Sequence, residues 1–224
     1  MELVDGVYAL PQTLARGDGE VTFHPAAVVT ERGPLLVDVG FEAALDRLET
    51  ALAEHGHDLA DAWGVVLTHQ DGDHAAATSA VVERTGAVVF AHPEAAPYVD
   101  GRAEPVKSDG DRYPPARVDV EVTDGTAFDT VAGPMEVRFT PGHAPGHVSL
   151  YLPEQRLLLA ADALTAADGE LQGPSDQHTL EMDEAIESVG ELSELDVERT
   201  LCYHGGLVEQ GTGAIAKVWS ENAG

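Results

Sequence analysis

Four side chains able to ligate a metal, His69, Asp71, Asp73 and His74, stand within six residues of one another, directly after the apolar run Gly64 to Leu67. A short apolar run of this kind reads as a buried strand, and the polar burst behind it reads as a turn into the helical stretch from Ala75 to Thr85. Imidazole nitrogens and carboxylate oxygens are the donors that zinc, iron and manganese accept, and one short loop can aim four of them into a small volume. The chain therefore has to fold so that a strand-to-helix turn faces a cleft.

A single cysteine, Cys202, excludes an intramolecular disulfide and every zinc module built on several thiolates, so metal chemistry must use His and Asp. No uninterrupted apolar stretch approaches the roughly 20 residues of a membrane span, and the start Met-Glu-Leu-Val-Asp-Gly lacks a basic segment followed by an apolar block. The expectation is a cytoplasmic protein with no membrane partner. Its 224 residues, 43% hydrophobic, can bury a full core, and a single domain over 1–224 is expected. Forty acidic residues face twelve basic ones, of which only Lys107 and Lys217 are lysines, for a formal charge of -28. Because the excess runs along the whole chain, it suggests a solvated acidic shell of the halophile type that needs concentrated salt for screening. Such a surface repels phosphate backbones and anionic lipids, which disfavours nucleic acid as a partner.

Gly, Pro and Asp clusters separate expected strands at Val7 to Leu10, Val21 to Thr30 and Leu35 to Val39. The period then changes, with Phe41, Leu45, Leu48 and Leu52 on one helical face and Gly56 to end it. Gly86 stops the helix behind the metal-ligand cluster, and Ala87 to Ala91 resumes a strand. Asp100 to Val118, rich in Gly, Pro, Asp and Arg, has no periodicity and reads as a long surface loop able to border a cleft. Strands are expected again at Val118 to Val122, Met135 to Thr140, His147 to Leu152 and Arg156 to Ala160, followed by a loop to His178. Leu180, Ile186, Val189 and Leu192 make one apolar stripe, Ile215, Val218 and Trp219 another, with a strand at Thr200 to Tyr203 between them. Strands then helix, twice over, imply two similar layers packed face to face.

Three further candidates each follow an expected strand: His143 in Thr-Pro-Gly-His-Ala-Pro-Gly-His, Asp162 in Ala-Ala-Asp-Ala-Leu, and His204 in Cys-Tyr-His-Gly-Gly. A glycine beside each histidine lets the backbone bend sharply and approach closely. On these residues the chain resembles the metallo-β-lactamase fold superfamily, whose signature is His-x-His-x-Asp-His, then a later His, a bridging Asp and a terminal His. The matching positions are His69, Asp71, Asp73, His74, His143, Asp162 and His204, and the likeness covers almost the entire sequence. Asp71 departs from the pattern, standing where the family has its second histidine. Val37-Asp38-Val39-Gly40 also resembles the family's strand ending in Asp and Gly, which would make Asp38 a support for the cage.

The resemblance implies an α/β fold of the α+β type, a four-layer αββα sandwich, with one divalent ion held by His69, Asp71, His143 and Asp162 and another by Asp73, His74, Asp162 and His204. Asp162 would bridge them, and Asp73 would be catalytic by orienting a hydroxide held between the ions. Zinc, manganese and iron are all compatible; the extra carboxylate of Asp71 makes the site harder and favours manganese or iron relative to an all-histidine version. The implied activity is hydrolysis of an ester-like bond in a small molecule, a thioester or a lactone. A β-lactam is disfavoured because Gly205-Gly206-Leu207 follows His204 where a lysine or arginine could anchor a carboxylate. An iron-dependent persulfide oxygenase on the same fold and a non-catalytic metal-binding scaffold remain as alternatives, as do a monomer and a homodimer.

The bland reading of Asp71 and Asp73 alone is helix capping. His147 is expected to support rather than ligate, and His92 to pack or to wall the cleft. His24 and His178 sit in segments resembling cleft walls, His55 and His57 are expected to be solvent-exposed, and Cys202 a buried thiol. For Tyr203, a hydrogen bond to an oxyanion and plain packing both stay open.

Overall fold

Residues 1–17, 19–107 and 112–223 are described in a computed structural model. Short alternating segments punctuated by Gly and Pro give β1 (Glu2–Val4), β2 (Val7–Ala9), β3 (Gln12–Arg16), β4 (Gly19–Phe23), β5 (Ala26–Thr30) and β6 (Gly33–Val37). The chain continues through α1 (Leu45–Ala53), β7 (Gly64–Val66), α2 (Gly72–Ala75), α3 (Thr78–Thr85), β8 (Val88–Ala91), α4 (Ala96–Val99) and β9 (Val120–Glu121). A second half runs through β10 (Ala127–Thr130), β11 (Gly133–Phe139), β12 (Val148–Leu152), β13 (Leu157–Ala161), β14 (Thr165–Ala167), β15 (Glu170–Gln172), α5 (Met182–Leu192), β16 (Arg199–Cys202), β17 (Gly206–Val208) and α6 (Gly211–Asn222).

Among the described residues, one sheet has the order β1-β2-β5-β6-β7-β8-β9 and the other β10-β11-β12-β13-β16-β17, with β3–β4 and β14–β15 as separate hairpins. Val7, Val28, Leu35, Val37 and Val66 of the first sheet pack against Met135, Val137, Leu150, Leu157 and Leu159 of the second, forming the central core. The opposite face of the first sheet, with Leu36, Val65 and Val89, is covered by Leu45, Leu48 and Leu52 of α1 and Val81 of α3. Leu158 and Cys202 of the second sheet meet Val189, Leu192, Ile215 and Val218 of α5 and α6. The result is helix, sheet, sheet, helix, with β6, β7 and β13 buried on both faces, which is why they read as continuous apolar runs. No helix among the described residues is long and apolar enough to cross a membrane.

Several boundaries differ from expectation for physical reasons. The expected strand Val21 to Thr30 is broken at His24–Pro25, where proline cannot donate to a ladder and its carbonyl instead accepts from Leu10 N–H. Its halves go to different sheets, β4 pairing with the unforeseen β3. The helix expected over Ala75 to Thr85 is two helices, since Thr78 Oγ1 donates to Ala75 O and the chain re-enters at α3. Gly86 does end α3, at φ +70. The hairpin β14–β15 occupies part of the loop expected up to His178. Residues 100–107 and 112–119 carry no regular element, and 108–111 lie outside the described residues. Leu180 is 42% exposed and precedes α5 instead of joining its buried stripe, and Trp219 is equally open. Phe41 sits just before a 3-10 turn at Glu42–Ala44 and packs edge-on against Phe23 rather than extending α1.

Candidate metal centre

Strands β6, β7 and β8 are parallel, as are β13 and β16, so their carboxyl ends open at one rim, where α/β sheets place their ligands. Asp38 follows β6, the 69–74 loop follows β7, His143 follows β11, Asp162 follows β13 and His204 follows β16. A register shift between Leu159 and Ala161, with Ala161 at φ +49, turns Asp162 out of the ladder. Gly142 stands at φ +114, and a Cβ there would lie 2.2 Å from Ala185 N; only glycine fits, and the close pass against α5 sets His143 in place.

The donor atoms converge. His69 Nε2 lies 3.5 Å from Asp71 Oδ2, which is 3.3 Å from His143 Nε2, itself 3.4 Å from Asp162 Oδ2. Asp162 Oδ1 is 3.4 Å from His74 Nε2 and its Oδ2 3.3 Å from His204 Nε2, which is 3.2 Å from Asp73 Oδ2. Tetrahedral ligands with bonds of about 2.1 Å stand ~3.4 Å apart, so these separations are those of donors around an ion. Two three-donor groups result, His69 with His143 and Asp162, and Asp73 with His74 and His204, and Asp162 touches both. His69 Nε2, His74 Nε2 and Asp162 Oδ1 are buried without a hydrogen-bond partner, a cost that a metal ion would remove. The residues present therefore fit divalent metal.

The supports are equally specific. Asp38 Oδ2 accepts from His74 Nδ1 at 2.8 Å, and the same carboxylate takes Thr68 N–H at 2.8 Å and Thr68 Oγ1–H at 2.7 Å. This fixes the orientation of the His74 ring, with Nε2 facing the centre. Burial alone would lower the His74 pKa, but Asp162, Asp38 and Asp73 hold it well above its ordinary value. Burial would raise the carboxyl of Asp162, yet His74 and His204 push it well below the usual range. Burial likewise opposes ionisation of Asp71, and the charges of His69 and Lys107 help overcome it. The carboxylates are thus held charged.

His147 is fully buried and its Nε2 accepts the backbone N–H of Asp162 at 3.1 Å, while its Nδ1 lies 2.9 Å from Thr140 O. With Nε2 engaged by the backbone, it positions Asp162. Asp71 occupies the N-cap position of α2, yet its side chain makes no cap hydrogen bond and points to the centre instead. Tyr203 stacks on His74 at 3.7 Å and its hydroxyl donates to Asp73 O, so it packs and braces the loop. His24 Nδ1 lies 3.1 Å from Tyr203 O, His92 stacks on Phe139, and His178 is exposed. His55 and His57 are both half-buried against Tyr8 rather than open to solvent.

Sequence reasoning missed Lys107 and Gln70. Lys107 Nζ lies 2.8 Å from both Asp71 Oδ2 and His143 Nε2. Gln70 Nε2 donates to Asp71 Oδ1 at 2.6 Å while its Oε1 accepts from Val106 N–H, tying the 100–107 segment to the motif. The available signal was scarcity: one of two lysines in a chain of charge -28 stands in the loop expected to border the cleft.

Residues 20–204 match the family model described as Metallo-beta-lactamase superfamily. The chain is 27% identical over 220 residues to an N-acyl homoserine lactonase of Bacillus cereus, covering 86% of this chain and 83% of the relative. It is 35% identical over 102 residues to a hydroxyacylglutathione hydrolase of Rhizobium meliloti, covering 46% of this chain but only 34% of the relative. In fold it resembles a metallo-beta-lactamase family protein of Thermus thermophilus, with a TM-score of 0.78 at 24% identity over 99% of this chain and 81% of that one.

Proposed function

Because this chain belongs to the metallo-beta-lactamase superfamily and is a metal-dependent hydrolase, we propose that it uses a two-ion centre to cleave a thioester or a lactone in a small molecule. The observation that carries the reading is the convergence of seven donor side chains at spacings of 3.2 to 3.5 Å. His69, Asp71, His143 and Asp162 would hold one ion; Asp73, His74, Asp162 and His204 the other. Bound divalent metal brings the pKa of water from 15.7 down toward about 7 and polarises the carbonyl under attack.

The protein's own groups do the rest. Asp73 is 23% exposed at its side chain, against 7% for Asp162, so it is the carboxylate best placed to orient an attacking water toward a substrate in the cleft. Asp162, pinned by His147 and buried, keeps the two donor sets in register. Phe23, buried, packs edge-on against both His204 and Phe41 and backs the His204 side of the centre with apolar side chains. Two separate donor groups favour the two-ion hydrolase over a one-iron oxygenase.

The names of the relatives above support the thioester and lactone classes. Asp71 adds a third carboxylate oxygen and should let manganese or iron compete with zinc. The test is a panel of thioesters and lactones run in molar salt with protein loaded with zinc, manganese or iron, alongside metal analysis of protein purified without added metal. Two ions bound with no turnover across the panel would reject the substrate reading, and two tightly held zincs with full activity would reject the preference for harder ions.

A further inference from the structure

In this strongly acidic chain one of its two lysines is aimed into the centre. The Lys107 side chain is 23% exposed, whereas Lys217 is 67% exposed and lies 3.9 Å from Glu221 on the surface of α6. An ammonium has donors only, so His143 Nε2 and Asp71 Oδ2, each 2.8 Å from Lys107 Nζ, must both present lone pairs to it. Those are the lone pairs that a metal ion would need. The 3.3 Å approach of His143 Nε2 to Asp71 Oδ2, two acceptors side by side, is accounted for by the cation between them.

We propose that Lys107 is a tethered internal cation of the Asp71–His143 half of the centre, which a metal ion must displace in order to bind there. The proposal rests on the two-ion reading above. Ion and ammonium cannot share the site: an ion sits at about 2.0–2.2 Å from these donors, and a second positive charge at hydrogen-bond distance from the same atoms would be repelled. The tether is short. Val106, adjacent to the lysine, donates its N–H to Gln70 Oε1 at 3.2 Å, and Gln70 holds the other oxygen of Asp71. A displaced Lys107 therefore stays close to the opening and keeps competing at high effective concentration. The Asp73–His74–His204 half has no lysine or arginine on its donor atoms among the described residues, so the competition is confined to one ion. The substitution of Asp71 for the family's second histidine makes this arrangement possible, because a carboxylate at that position attracts an ammonium as well as a metal.

The experiment measures zinc binding to the full chain in molar salt by competition with a chromophoric chelator, for wild type, Lys107→Met and Lys107→Arg. Lys107→Met should tighten one binding event by tenfold or more and leave the other within about twofold, while Lys107→Arg, which keeps the charge, stays near wild type. Acetylation of wild-type protein with an amine-reactive ester, read by mass spectrometry, gives a readout free of mutation: Lys107 should be protected relative to Lys217 without zinc and labelled comparably once zinc is bound. Equal affinities for Lys107→Met and wild type, or Lys107 labelling that ignores zinc, would overturn the proposal while leaving the two-ion centre standing. Failure of every variant to bind zinc would overturn both.

Discussion

Asp38 Oδ2 and His74 Nδ1 lie 2.8 Å apart in the buried interior, joining the end of β6 to the 69–74 loop. The contact turns the opposite nitrogen of His74 toward Asp162, and it is made by a residue held at φ +57, a conformation that Asp and Asn tolerate better than most. Asp38→Asn keeps the backbone acceptable but offers an amide in place of an oxygen, so either Thr68 or His74 loses its acceptor. Metal affinity should fall about 10–100-fold with far-UV circular dichroism unchanged, as chelator competition would show. Unchanged affinity would mean that the contact does not orient the ligand.

Asp73→Ala removes the partly exposed carboxylate proposed to orient water and to hold one ion. Turnover of a responsive thioester or lactone should drop about 10²–10⁴-fold, measured at saturating metal. Wild-type turnover would remove Asp73 from the catalytic role.

Burial would lower the His204 pKa, but hydrogen bonds to Asp162 and Asp73 raise it from 6.5 to about 9. In the metal-free protein at pH 7 this ring is therefore protonated, and a metal ion must release that proton. Affinity should climb as pH rises from 7 through about 9. Without metal the same raised pKa stabilises the fold fully below about pH 6.5, and the contribution is lost as pH rises through about 9. Calorimetry in two buffers of different ionisation enthalpy should report proton release on zinc binding at pH 7, and the absence of release would contradict the assignment.

Gly142→Ala places a methyl 2.2 Å from the backbone of α5 at a left-handed φ of +114. The loop carrying His143 has to move, and unfolding free energy should fall by about 3 kcal/mol or more in urea titrations. A variant of wild-type stability would show that the loop has room to relax.

A formal charge of -28 should make stability rise with ionic strength. The melting temperature is expected to increase from dilute buffer to molar salt, with structure lost on dialysis into dilute buffer. A melting temperature indifferent to salt would refute the acidic-shell reading.

What the sequence determined by itself were the elements that depend on local pattern: the apolar runs at Gly64 to Leu67 and Arg156 to Ala160, the stripe of Leu45, Leu48 and Leu52, the stop at Gly86, and the crowding of His69, Asp71, Asp73 and His74 behind one apolar run. Local pattern did not reveal the break at His24–Pro25, the hairpins β3–β4 and β14–β15, or the exposure of Leu180, because pairing partners and burial are set by distant segments. The tertiary structure alone decided that Asp71 faces the centre instead of capping α2, that Tyr203 spends its hydroxyl on Asp73, and that Lys107 reaches Asp71 and His143. Each of those outcomes is a competition among polar groups for a few buried partners, and it is settled by which atoms the packed sheets bring within about 3 Å of one another.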